Sequence, residues 1–161
     1  LQGKEVTKVI GTLYLSGTAI TALPDNLKVG GGLVLTDTPI TALPDNLTVH
    51  GDLYLSGTAI TALPDNLTLT VGGTLYLSGT PITSLPDNLT VHGTLDLDGT
   101  AITALPDNLT VQGDLYLGGT QITALPDNLT VHGDLWINGT PNLDTNNLPS
   151  SLVVKGTIYH V

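Results

Sequence analysis

The chain repeats one motif with a period of 20 residues, and this repeat constrains the fold more than any other feature of the sequence. Aligned on the glycine that precedes each L-x-L triplet, complete units span residues 11–30, 31–50, 51–72, 73–92, 93–112 and 113–132, and a divergent unit begins at Gly133. Five of the six complete units have 20 residues and one has 22. A constant period of this size is typical of a solenoid, in which each repeat packs against its neighbours.

Apolar residues within a unit alternate with small or polar ones. Leu47, Val49, Leu53 and Leu55 fall on alternate positions with Gly51 between them, which indicates extended chain with one buried face. No 3.6-residue apolar period runs uninterrupted by Pro or Gly, so we expect little or no helix. The sequence predicts an all-β fold, a parallel β-solenoid of about eight coils of 20 residues.

The sequence predicts one solenoid domain over residues 1–161, and it also indicates where the coils turn and where the solenoid ends. The small pair Ser56-Gly57 recurs in each unit, and its second position is Gly or, once, Asp37, so we predict a positive φ there. A two-residue insertion near Leu69 and Thr70 is expected to preserve the inward and outward alternation. Residues 1–10 are interpreted as an N-terminal partial coil, 11–132 as regular repeats and 133–161 as a divergent C-terminal coil and cap.

The stretch LYLSGTAITALP resembles the bacterial type of leucine-rich repeat, whose core reads L-x-L-x-x-N-x-L-x-x-L-P. The matching positions are Leu53, Leu55, Thr58, Ile60, Leu63 and Pro64, and the unit length is similar to the short LPX form of secreted bacterial effectors. The resemblance extends from Gly11 to about Leu148, with Thr in the family's asparagine position. It implies that partners dock on the L-x-L strand face, and it favours a secreted or cell-surface bacterial location.

Composition restricts the classes of partner. Four Lys and no Arg against 14 acidic residues give a net charge of −10, which repels polyanions, so we expect no nucleic-acid partner. No apolar run reaches the length of about 18 residues that a membrane-spanning helix requires, so no membrane span is expected. The last strand segment, residues 157–161, is predicted to be an edge that allows self-association with a second molecule.

An aromatic stripe is the leading candidate for a contact surface. Outward positions of the L-x-L strands are occupied by Tyr14, Tyr54, Tyr76, Asp96, Tyr116 and Trp136. Amphipathic rings on a rigid sheet are good interface anchors, so we expect a protein or other surface partner, of unknown identity, to bind there. Cross-strand stacking that only stabilises the sheet is the competing explanation.

Two further hypotheses remain open at the level of sequence. A regular column of threonines resembles the surface of ice-binding proteins, and it consists of Thr21, Thr41, Thr61, Thr83, Thr103 and Thr123. Threonine is also simply a favoured strand residue. The near-identity of the units and the absence of Arg, Phe, Cys and Met also fit a consensus-like repeat scaffold without an evolved ligand.

Nothing in the sequence indicates catalysis, a cofactor or a metal site. Every candidate nucleophile is one of many equivalent copies, whereas catalysis needs an asymmetric, preorganised group. The P-D-N corner supplies one carboxylate per coil, which does not make the cage of oxygens that Ca²⁺ requires. His50, His92 and His132 share one position and lie about two coils apart, too far to share a metal ion. We therefore expect no enzymatic activity.

Overall fold

The computed structural model describes residues 8–65, 67–69, 73–87 and 89–160, and every regular element in them is a two-residue β-strand. The strands are β1 (Lys8–Val9), β2 (Leu13–Tyr14), β3 (Lys28–Val29), β4 (Leu33–Val34), β5 (Thr48–Val49), β6 (Leu53–Tyr54), β7 (Thr68–Leu69), β8 (Leu75–Tyr76), β9 (Thr90–Val91), β10 (Leu95–Asp96), β11 (Thr110–Val111), β12 (Leu115–Tyr116), β13 (Thr130–Val131), β14 (Leu135–Trp136), β15 (Val153–Val154) and β16 (Ile158–Tyr159). The described residues contain no helix, and thus none that could cross a membrane.

The strands stack in parallel as a solenoid, which confirms the predicted fold class. All even-numbered strands form one eight-stranded sheet in the order β16-β14-β12-β10-β8-β6-β4-β2, which we call the L-x-L sheet. Equivalent residues are direct partners, as in the pairing of Leu95 with Leu115. The solenoid that these stacked strands form has about seven turns. The prediction from the sequence is about eight coils.

Each predicted extended segment is divided by a bend. Residues 50–52 separate β5 from β6, and these two strands belong to different sheets. The bend brings the backbones of successive coils together, because a Cβ on Gly51 would lie 2.8 Å from the carbonyl carbon of Gly31. Glycine at this position therefore permits both the bend and the close stacking.

The core is a set of aliphatic columns. In one representative coil the buried side chains are Leu95, Leu97, Ile102, Leu105, Leu109 and Val111. A single coil has no neighbour against which to pack both faces of these side chains, so burial is complete only in the stack. The result is one continuous core that leaves the alternate positions of the L-x-L strands outside.

Residues in the left-handed backbone conformation form the predicted corners. The second position of the small-residue pair has a positive φ in all seven copies, including Asp37 at 57°. Asn in the P-D-N corner also adopts this conformation, with φ of 58° at Asn46 and 62° at Asn108. Gly and Asn are the residues that reach this region with little steric cost, so the corner sequence follows from the backbone.

Six of the threonines that follow the small-residue pairs point into the coil. Thr58 is 4% exposed and its Oγ1 donates to the carbonyl oxygen of Leu55 at 2.7 Å. The same local bond recurs from Thr38, Thr80, Thr100, Thr120 and Thr140. Each hydroxyl is thus satisfied within its own corner.

The 22-residue unit divides the second side of the solenoid. The odd-numbered strands form two four-stranded sheets, β1-β3-β5-β7 and β15-β13-β11-β9. Among the described residues no strand pairing joins β7 to β9, whereas Leu53 pairs with Leu75 across the same coil. The L-x-L register is therefore preserved across the insertion, as predicted, while the strands of the other side that the structure describes fall into two sheets.

Candidate interaction surface on the L-x-L sheet

The outer face of the L-x-L sheet carries all the aromatic residues of the chain. The sequence contains five Tyr, one Trp and no Phe. The predicted stripe residues lie in one register on β2, β6, β8, β10, β12 and β14, with Val34 of β4 between the first two strands. Tyr159 on β16 extends the row. We call this row, from Tyr14 to Tyr159, the aromatic stripe.

The rings of the stripe form two stacks. Tyr54 and Tyr76 have ring centroids 4.6 Å apart with an interplanar angle of 10°. Trp136 stacks between Tyr116 and Tyr159, at centroid distances of 5.7 Å and 3.8 Å. Such pairs contribute on the order of 0.5–1.5 kcal/mol beyond their area burial. Stacking therefore accounts for part of the row, as the competing explanation predicts.

Two parts of the stripe are not accounted for by stacking. Tyr14 is 75% exposed, and the residue beside it in the row is Val34 rather than an aromatic. The Trp136 Nε1 atom is buried and has no hydrogen-bond partner. An indole N–H normally finds an acceptor when it leaves water, so this donor is unusual on a surface sheet.

A row of Thr and Asp side chains borders the stripe at the start of the L-x-L strands, except at Gly32 before β4. Each side-chain oxygen accepts a hydrogen bond from the backbone N–H of the next coil, as Asp114 Oδ1 does from Asp134 N at 2.7 Å. Equivalent bonds are accepted by Thr12, Asp52, Thr74, Thr94 and Asp134. These bonds extend the sheet by one residue, and they hold the bordering carboxylates in fixed positions.

Two carboxyl groups interrupt the stripe between its stacks. Burial raises the pKa of Asp96. The hydrogen bond that Asp96 Oδ1 accepts from Asp98 N at 3.1 Å acts in the opposite direction and only partly offsets this effect. Burial also raises the pKa of Asp98, whose Oδ1 accepts from Gly118 N at 2.7 Å. Both carboxylates are thus partly desolvated on a face that also holds Asp52 and Asp114.

The electrostatic asymmetry of the solenoid follows from these positions. Within the described ranges, the lysines lie on or next to the odd-numbered strands, at Lys8, Lys28 and Lys155. The L-x-L strands and the residues that flank them carry carboxylates and no lysine. This sheet face is therefore acidic as well as aromatic, and it attracts cations.

The other predicted rows are also placed by the structure. All six threonines of the alternative ice-binding row are exposed, Thr21, Thr41, Thr61, Thr83, Thr103 and Thr123. His50 and His92 are exposed and His132 is half-buried. In the part of the chain that the structure describes, no group of three or more His, Asp or Glu side chains is arranged to hold a metal ion.

Sequence reasoning missed Tyr159 as a member of the stripe. Its strand has Ile158 where the other units have Leu, and it pairs with Trp136 at a spacing of 23 residues instead of 20. The signal was the apolar-aromatic pair after Gly156, which repeats the local pattern of the regular units.

No protein family and no curated protein shows a match to the chain.

Proposed function

We propose that the protein is a non-enzymatic binding module of leucine-rich-repeat type, whose L-x-L sheet engages a basic surface of a partner protein. The observation that carries the proposal is the collection of all six aromatic side chains on one sheet face, together with fixed carboxylates and, among the residues that the structure describes, no lysine. Aromatic anchors supply apolar contact area at low entropic cost, and complementary charge selects the partner. In the repeats that the sequence resembles, partners dock on this same strand face.

Binding of a lysine-rich peptide at low and high salt tests the proposal. The wild type is expected to bind the peptide, and the triple variant Tyr54→Ser/Tyr76→Ser/Tyr116→Ser is expected to lose binding while it stays folded. A matched control, Thr61→Ser/Thr83→Ser/Thr103→Ser, changes the same number of side chains on another face and should bind like the wild type. Equal binding by both triple variants would exclude the aromatic stripe.

Ice binding is the second candidate function, and one observation favours it. The exposed threonines are flanked by exposed Ala, Pro, Ser or Gln side chains, and no charged residue occurs in segments 19–24, 39–44, 59–64, 81–86, 101–106 and 121–126. Coil stacking repeats this uncharged surface at about 4.8 Å. Thermal hysteresis with faceted ice crystals, lost in Thr61→Lys/Thr103→Lys, would support this function. Absence of both hysteresis and peptide binding would leave a scaffold without an evolved ligand.

A further inference from the structure

The second coil opens a pocket in the aromatic stripe. Two rows lose their large side chains in this one coil, because Val34 replaces an aromatic residue and Gly32 replaces the Thr or Asp of the bordering row. The outcome is an open pocket of about 430 Å³, lined mainly by Thr12, Tyr14, Gly32, Val34, Asp52 and Tyr54. We call it the tyrosine slot.

Two tyrosine rings form the walls of this slot. Tyr14, Val34 and Tyr54 are in-register partners on adjacent strands, so the two tyrosines are two strand spacings apart, about 9.6 Å. One face of the Tyr54 ring is covered by Tyr76 at 4.6 Å, and the opposite face is turned towards the slot. Tyr14 has no stacked ring beside it and is mostly exposed. The slot is therefore one missing member of the stack.

The width of the slot selects the shape of an occupant. An occupant that contacts each ring at the optimal distance of about 3.5–4 Å must have its outermost atoms on the two sides about 2 Å apart. A flat ring or a guanidinium plane at the centre would lie about 4.8 Å from each wall, close to the 4.6 Å between Tyr54 and Tyr76, and would fill the slot less closely than a thicker group. A tetrahedral alkylated ammonium has this thickness, and its nitrogen would lie about 4.8 Å from both rings, within the reach of about 6 Å of a cation–π interaction.

Charge selects the same occupant. Asp52 borders the slot, and its Oδ2 accepts a hydrogen bond from the Tyr54 hydroxyl at 3.3 Å. The carboxylate favours a cation between the rings, and the net charge of −10 adds to this preference. A choline phospholipid would bring a phosphate next to Asp52, and this acidic face would repel it. A modified lysine side chain brings the same cation without an anion.

We propose that the tyrosine slot binds the methylated ammonium group of a lysine side chain on a partner protein. The inference rests on the proposed function, because the remainder of the stripe would contact the same partner. Tyr14 and Tyr54 sandwich the methyl groups, and Asp52 balances their charge. Unmodified lysine is smaller and more strongly hydrated, so it occupies the slot less well.

Filling the slot provides the test. The Val34→Tyr variant inserts a ring between Tyr14 and Tyr54 without removing any wall or charge, and Val34→Ile is its matched control. The probes are N-acetyl-trimethyllysine amide, N-acetyl-lysine amide, a neutral analogue with a tert-butyl group, and phosphocholine. Binding is measured by NMR titration, in which methyl protons between two rings shift upfield.

The wild type and Val34→Ile are expected to bind the trimethyllysine probe about tenfold more tightly than the neutral analogue. Val34→Tyr should lose this binding, and its unfolding midpoint should equal or exceed that of the wild type. Retained binding in Val34→Tyr, equal affinity for the neutral analogue, or tighter binding of phosphocholine or unmodified lysine would each overturn the inference. If the lysine-rich peptide binds but the trimethyllysine probe does not, only this inference fails; if the peptide does not bind, the proposed function fails.

Discussion

Substitution of Gly113 by Ala tests whether the coils are as closely stacked as the structure indicates. A Cβ at this position would lie 2.8 Å from the carbonyl carbon of Gly93 and 2.8 Å from the backbone nitrogen of Thr94. Non-bonded carbon contacts are optimal at about 3.5–4.0 Å, so the two coils must separate by roughly 0.7 Å or more. The displaced backbone includes the hydrogen bond from Gly113 N to Gly93 O at 2.9 Å.

The expected cost is that of overpacking against rigid backbone, about 1–3 kcal/mol of unfolding free energy. Gly11→Ala is the matched control, because no described atom lies within 4 Å of a Cβ at the equivalent position in the first complete unit. That substitution should be neutral or stabilising by about 0.4–1 kcal/mol, through lower entropy of the unfolded chain. Urea unfolding followed by Trp136 fluorescence and circular dichroism measures both variants. Equal midpoints for Gly113→Ala and Gly11→Ala would refute the close approach of the coils.

Three further predictions concern the corners and the acidic interruption of the stripe. Thr100→Val should lower the free energy of unfolding by about 1 kcal/mol, because the buried hydroxyl donates to Leu97 O, and Thr100→Ser should recover part of it in urea titrations. Gly99→Ala should cost about 1–2 kcal/mol at its φ of 68°, whereas Gly99→Asn should be better tolerated in the same titrations. The raised pKa of Asp96 means that the folded state binds its proton more tightly, so this group stabilises at low pH and loses that contribution as pH rises through its folded pKa. Asp96→Asn should therefore raise the melting temperature at pH 7 relative to wild type and show a smaller advantage near pH 4; an advantage that grows on acidification would contradict the assignment.

The sequence was sufficient for the features that repeat. The period predicted the parallel stack, and the alternation at Leu53 and Leu55 predicted which side chains are buried. The Gly and Asp37 corner predicted a positive φ, and the structure confirms it. Each of these depends on local sterics or on burial, which one repeat unit already specifies.

Features that depend on contacts between particular coils were beyond sequence reasoning. The sequence shows the two-residue insertion, but it does not show that β7 and β9 belong to different sheets. The hydrogen bonds that Asp52 and Asp114 accept from the backbone of the following coil depend on rotamers, and so does the arrangement of the rings in two stacks. The tyrosine slot needed the structure because it arises where two separate rows, at Gly32 and Val34, become small together.

The interrupted side of the solenoid has a consequence for how the protein comes apart. In a linear array, stability is approximately a sum of nearest-neighbour terms, so the junction with the fewest bonds separates first. Between β6 and β8 the L-x-L sheet is continuous, while the described residues show no pairing between β7 and β9 on the other side. We expect this junction to behave as a seam between two cooperative blocks of coils. Amide protection should fall to a minimum there, and each block should exchange as one unit.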